Sequence, residues 1–397
     1  MVRPSLKWLA VNRFPKQIVA IVCITLMGCI YVQKSYLVPR QIYQNDAQES
    51  ASLLGECQPK SKIAFIKAHK CASSTIQNIF MRYGYFNERL FILPRKGNYL
   101  GHPEKFNRNM VPDPEKFGAN FSILTHHTRL DYDEIRSLIP DAIFISIIRN
   151  PANLFESMFQ YYRLQKHWNF NFSDIGNETF TFPKFLKTRR FARRIGVNQM
   201  MYDMGFDSKD FDNQEQITQY IQQLDSIFSL VMVSERMDES LILLKDLLCW
   251  DYEDVVAFRL NARNVSYKHE MNDLTRKRLS ELNNADQQLY DHFVAKFDRQ
   301  VEQYGRRRMQ HDVQRLKQKV KFYYNYCVRE SVTKNNSQVI RFVNVKRYSP
   351  VCKFMTNSEL SVTNFIRNEQ LKRYPGSVFS VGITLPPPAA TDGMKIL

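Results

Sequence analysis

Glycine is scarce in this chain, with 13 in 397 residues, less than half of the ~7% of ordinary usage, and none lies between Lys62 and Arg82. That gap excludes a nucleoside-triphosphate loop in this segment, because G-x-x-x-x-G-K-[ST] needs both glycines to wrap a β-phosphate. No acidic Mg²⁺ ligand follows a strand-like run, which argues against kinase or NTPase chemistry. No C-x-x-C and no His/Cys cluster with zinc spacing occurs among the seven cysteines, so no metal is expected. Acids are also few: 39 Asp+Glu face 56 Lys+Arg, a net charge of +17. Such a balance suits a phosphorylated nucleotide, an anionic membrane or a polyanion, and by itself does not choose among them.

What is present is concentrated in residues 62–83, KIAFIKAHKCASSTIQNIFMRY. An apolar run stops at Lys67-Ala68-His69-Lys70, a turn of small residues follows, and Ile76, Ile79, Phe80 and Tyr83 recur at helical spacing. Strand, cationic turn and helix N-terminus together build an anion cradle from backbone N–H groups and a fixed charge. Taken alone, this short match also reads as an ordinary strand–turn–helix with a serine cap.

A second element changes the balance. Ala142–Ile148 is a continuous apolar run of the kind buried on both faces of a sheet, and it ends at Arg149. Asn150 is placed to cap a helix with Pro151 at its first position, and Ser157 falls two turns in. Further strands are expected over 62–67, 120–125, 142–148 and 227–233, with helices over 74–83, 132–139, 151–164 and 238–249. Asp131 and Glu134 have capping-box spacing, and 271–327 reads as amphipathic helices. Repeated βα units imply a mostly parallel sheet flanked by helices, an α/β fold with ligands beyond the carboxyl ends of its strands. Lys70, Ser73, His127, Arg129 and Arg149 all follow such ends.

Ile18–Val32 is apolar, follows Arg3, Lys7, Arg13 and Lys16 without an acid, and is expected to be a transmembrane signal-anchor. It is shorter than the ~20 residues of an average span, so a cleaved signal peptide is the alternative. The resulting organisation is a cytoplasmic tail 1–17, the anchor 18–32, a polar stem 33–60, a lumenal domain 61–330 and an extension 331–397 whose tail from 386 reads as disordered. Sequons stand at Asn120, Asn171, Asn177, Asn264 and Asn335, with Asn120 in an apolar stretch too deep for use. Disulfides are expected among Cys57, Cys249, Cys327 and Cys352, leaving Cys71 free.

The loop 67–75, His127-Thr128-Arg129, Arg149-Asn150-Pro151 with Leu154–Ser157, the stretch 238–250 and Leu260-Asn261-Ala262-Arg263 resemble the galactose 3-O-sulfotransferases over roughly residues 55–310. Ala68 and Cys71 stand where that family usually has threonines, and Asn150 where it has Asp. The resemblance implies a P-loop-like sulfotransferase fold. It implies transfer of a sulfuryl group from 3′-phosphoadenosine-5′-phosphosulfate (PAPS) to the 3-OH of a β-galactose, without a metal. The donor would be held by Lys67, Lys70, Ser73, Ser74 and Thr75 at the 5′-phosphosulfate and by Arg149 and Ser157 at the 3′-phosphate. His127 and His69 both qualify as the base, His127 being preferred, and Lys70 supplies positive charge to the leaving phosphate. The resemblance further implies a single-pass type II protein of the Golgi membrane with its catalytic domain in the lumen. Its acceptor is a galactolipid such as galactosylceramide or a galactose-terminated glycan. Nucleic acid is not a partner, and a homodimer is allowed. The rival class is a basic polyanion-binding membrane protein, for which 187–194 and 305–321 are the candidate patches.

Overall fold

The computed structural model describes residues 57–111, 121–258, 269–333, 340–345 and 349–374. The expectations for the tail, the anchor, most of the stem, the region from 386 and the sequons Asn120, Asn264 and Asn335 lie outside these residues. Among the described residues no helix is long and apolar enough to cross a membrane.

The described residues from 58 onward form one unit around a five-stranded sheet. Its strands are β1 (Ile63–Ile66), β2 (Leu90–Ile92), β3 (Phe121–Leu124), β4 (Ile143–Ile148) and β5 (Phe228–Val233), in the order β2-β3-β1-β4-β5. Every pairing is parallel. The four strands expected from apolar runs are all present, because strands covered on both faces read as continuous hydrophobic segments. β2 gives no such signal: three residues at a sheet edge are too short for a periodic pattern.

The helices that connect and cover these strands include α1 (Ser73–Phe86), α2 (Tyr132–Leu138), α3 (Pro151–Tyr161), α4 (Gln199–Asp203), α5 (Gln214–Ile227) and α6 (Met237–Leu248). α1 lies close on the sheet at Gly84, where an added Cβ would come within 2.4 Å of the Phe91 ring and 2.6 Å of Ile123. Asn150 caps α3 by accepting from the Asn153 amide at 3.2 Å, with Pro151 at the first turn as expected. The Asp131 side chain likewise accepts from the Glu134 amide. The Glu134 carboxylate does not complete the box; it pairs with Arg108 instead. Tertiary charge pairing has overridden the local cap.

Charged helices α7 (Asp273–Leu282), α8 (Asn284–Tyr304) and α9 (Arg306–Cys327) follow, as the amphipathic pattern predicts. Along α9, Arg308 pairs with Asp246, Lys317 with Asp238 and Lys319 with Glu253, so this basic run is an acid-paired helix face. A hairpin, β6 (Val328–Thr333) and β7 (Ile340–Val345), precedes α10 (Pro350–Thr356) and α11 (Glu359–Arg373). These last helices return to the core. The Asn78 amide donates to the Phe354 carbonyl at 2.7 Å, and the Gln370 amide group bonds both backbone groups of Phe91 at 3.0 Å, closing the free edge of β2.

Cys327 and Cys352 are joined across 25 residues, a closure that restricts the unfolded chain by about 3.5 kcal/mol in the chain-entropy account. Cys57 and Cys249 are also disulfide-bonded. Cys71 is free and buried, its thiol 3.4 Å from the His69 carbonyl, and burial pushes that thiol well above its ordinary pKa. It is a packed side chain and not a nucleophile.

Candidate active site

Parallel pairing puts every strand's carboxyl end on one edge, and the residues following β1, β3 and β4 meet there. Between β1 and α1 the chain needs a concave turn, and it obtains one without glycine. Lys70 (φ 58°) and Ala72 (φ 61°) both adopt the left-handed conformation. Left-handed residues in such a turn can direct N–H groups inward as an anion nest. For residues other than glycine this conformation costs roughly 1–3 kcal/mol per position, a strain that persists where function requires it. No side chain caps α1, so its first turn keeps its positive end toward the same space.

Around this nest, Lys70 Nζ lies 3.6 Å above the Tyr161 ring. Arg149, at the end of β4, donates to the Lys70 carbonyl at 2.9 Å, and Ser157 is buried on α3. The two sequence elements are thus physically joined. The loop hydroxyls are used differently from one another: Ser73 donates to the Ala68 carbonyl at 2.6 Å, whereas Ser74 donates to the carboxylate of Glu359. Lys67 is buried, and its ammonium pairs with the same carboxylate at 2.7 Å. Thr75 is buried in the first turn, its amide bonded to the Ala72 carbonyl. Lys67, Ser74 and the amide of Asn98 together hold one carboxylate, so the donors on this loop can hold an anion.

The two candidate bases lie stacked, their ring centres 4.1 Å apart, but their surroundings differ. His69 Nδ1 is 2.9 Å from Asp203, and the His69 amide donates to the same carboxylate at 2.8 Å. Its Nε2 faces the Tyr99 hydroxyl at 3.2 Å. A carboxylate on Nδ1 holds the imidazole in the tautomer whose Nε2 is a proton acceptor, here facing the Tyr99 hydroxyl. His127 is buried with its Nδ1 unpartnered, and burial holds it well below its ordinary pKa. It packs against both His69 and Tyr99. Of these two imidazoles, only His69 has an orienting carboxylate.

Asp203 is fully buried, accepting also from the Gln199 amide at 2.9 Å and lying 3.3 Å from His102 Nε2. Burial pushes its carboxyl up, yet His69 and His102 together hold it well below the usual carboxylate range. His69, His102 and Asp203 form a group with metal-ligand side chains, but hydrogen bonds among them and Gln199 account for the geometry. Asp203 sits at the end of α4, whose first amides, those of Met200 and Met201, donate to buried Asp286. Arg129 holds the following turn: its guanidinium donates to the carbonyls of Tyr202, Pro103 and Phe206 and to Asp207. Although Arg129 follows a strand end, it is a structural staple. In the run 187–194, Arg190 stacks on Tyr202, and Arg194 lies 4.7 Å over Tyr99.

Tyr99, His102, Asp203 and Glu359 carry no motif in the sequence. Asp203 lies 134 residues from His69 and Glu359 lies 292 from Lys67, separations no local spacing reports.

A family model described as galactose-3-O-sulfotransferase matches residues 10–357. Galactosylceramide sulfotransferase of Homo sapiens is 39% identical over 267 residues, covering 66% of this chain and 63% of that protein. The Mus musculus protein of the same name is 37% identical over 278 residues, covering 69% and 66%. Galactose-3-O-sulfotransferase 2 of Homo sapiens is 31% identical over 289 residues, covering 71% and 72%. The aligned part of this chain spans less than two thirds of the length of the galactosylceramide sulfotransferases it matches.

Proposed function

The chain belongs to the galactose-3-O-sulfotransferase family, and from that membership we propose that it transfers a sulfuryl group from PAPS to the 3-OH of a β-galactose, in galactosylceramide or a related galactolipid. The observation that carries this reading is the loop 67–75 itself, which presents an Asp203-oriented imidazole and a cationic, left-handed nest within three residues of each other.

When bound, PAPS supplies an activated sulfuryl group on a good leaving phosphate. The protein's part is to bind, orient and move one proton. Lys70, Arg149 and the N-terminus of α1 attract and fix phosphate charge. His69 Nε2 takes the proton of the sugar 3-OH as its oxygen forms a bond to sulfur. The sulfur–oxygen bond to the 5′-phosphate breaks, and adenosine 3′,5′-bisphosphate leaves with that electron pair. Asp203 stabilises the imidazolium that results. The strained loop fixes these groups before substrate arrives, so little reorganisation accompanies the reaction.

The acceptor assignment takes its support from the names of the relatives with the higher identities. Purified protein incubated with PAPS is expected to sulfate galactosylceramide in preference to N-acetyllactosamine. Sulfate on lactosamine alone would replace the lipid reading with a glycoprotein one, and sulfate on neither would remove the function.

The proposal extends to location: a single-pass type II protein of the Golgi membrane with a lumenal catalytic domain. An oxidising lumen suits the Cys327–Cys352 disulfide, and Asn171 and Asn177 are both exposed as glycan acceptors must be. Glycosidase treatment of the protein from a eukaryotic cell is expected to increase its gel mobility; unchanged mobility of both the wild type and an Asn171→Gln/Asn177→Gln variant would count against lumenal exposure.

A further inference from the structure

Helix α11 starts at Glu359, whose carboxylate enters the active-site edge. Its Oε2 accepts from Lys67 Nζ at 2.7 Å and from Ser74 Oγ at 2.5 Å, and its Oε1 accepts from the Asn98 amide. Each of the three partners adjoins the proposed chemistry. Ser74 belongs to the anion loop, Lys67 directly follows β1 two residues before His69, and Asn98 precedes Tyr99, whose hydroxyl faces His69 Nε2. The helix is also held by Gln370 on β2, by Arg367 on the carbonyls of Pro94 and Gly97, and by Thr363 on His126.

Resting on the sulfotransferase reading above, we propose that Glu359 is a positioning residue, brought by the C-terminal helix, that keeps Lys67 a charged ammonium directed at the loop and so completes the active site. Lys67 is 1% exposed, and a buried ammonium loses its proton unless a carboxylate faces it. Burial lowers its pKa, and Glu359 opposes that, with a weaker contribution from Asp203. The other titratable groups around the pair are His126, His127 and His69, with Arg367 farther along α11. Among the described residues, Glu359 alone forms an ion pair with Lys67.

The test is Glu359→Gln, which keeps shape and removes charge. We expect kcat to fall at least tenfold while adenosine 3′,5′-bisphosphate binds within threefold of wild type. The basic limb of the pH–rate profile should move to lower pH, since an unpaired Lys67 gives up its proton sooner, and Glu359→Asp should recover part of kcat. In a Lys67→Met background, adding Glu359→Gln should cost nothing further. A Glu359 that acts independently of Lys67, through Ser74 or Asn98, would give the same penalty in both backgrounds, and that result overturns the proposal. So does a Glu359→Gln enzyme with kcat within twofold of wild type. Tighter binding of the bisphosphate with kcat retained would make Glu359 an occluding anion instead. If Glu359→Gln does not fold, Glu359→Asp and the double variant decide by the same ratios. Wild-type protein that neither binds the bisphosphate nor transfers sulfate overturns the underlying reading as well; a fully active wild type matched by its variant overturns this inference alone.

Discussion

Replacing His69 with alanine is expected to lower kcat for sulfuryl transfer by about 10²- to 10⁴-fold, the range for loss of a general base, with adenosine 3′,5′-bisphosphate still bound. The size follows from the Asp203 contact. An imidazole held by a buried, ionised carboxylate has its tautomer and direction set before the acceptor arrives, so no other side chain substitutes for it. His127→Ala should cost less, through lost stacking against His69 and Tyr99. Single-turnover kinetics with bisphosphate binding measured alongside separates chemistry from affinity. If His127→Ala lost the greater share of kcat and His69→Ala retained most of it, the base would be His127, and Asp203 would be only a structural acid.

Lys70→Ala is expected to weaken donor binding by about 10- to 150-fold, the equivalent of roughly 1.5–3 kcal/mol for a charge-assisted phosphate contact. Arg149→Ala should do likewise. Because the Arg149 guanidinium also bonds the Lys70 carbonyl at 2.9 Å, the double variant should lose less than the product of the two, as expected for residues sharing a partner. Calorimetric titration with the bisphosphate checks both statements. Affinities unchanged in both single variants would detach this loop from nucleotide binding, whatever the family assignment.

Much of this was legible in local sequence, because the relevant forces are local. Continuous apolar runs declare strands buried on both faces, and β1, β3, β4 and β5 fall where those runs do. The Asn150-Pro151 cap and the charged helices of 271–327 follow from the same short-range rules. So does the placement of Lys70, His69, His127 and Arg149 on one edge, since parallel strands point their carboxyl ends the same way. The absence of glycine in the loop excluded a triphosphate site, and the structure supplies its counterpart, a nest made at a conformational cost by Lys70 and Ala72.

What tertiary structure alone decided is which groups each of these residues meets. His69 and His127 are indistinguishable as letters; Asp203, delivered by α4 and fastened there by Asp286 and Arg129, makes them different. Lys67 reads as one more cation on an anion loop, until Glu359 arrives from α11 and pairs with it. Arg129 reads as one more residue following a strand end, and its guanidinium staples the turn after α4. The physical reason is common to all three. Charge state, tautomer and orientation of a buried side chain are set by the groups packed against it, and in this fold those groups come from segments more than 70 residues away in the chain.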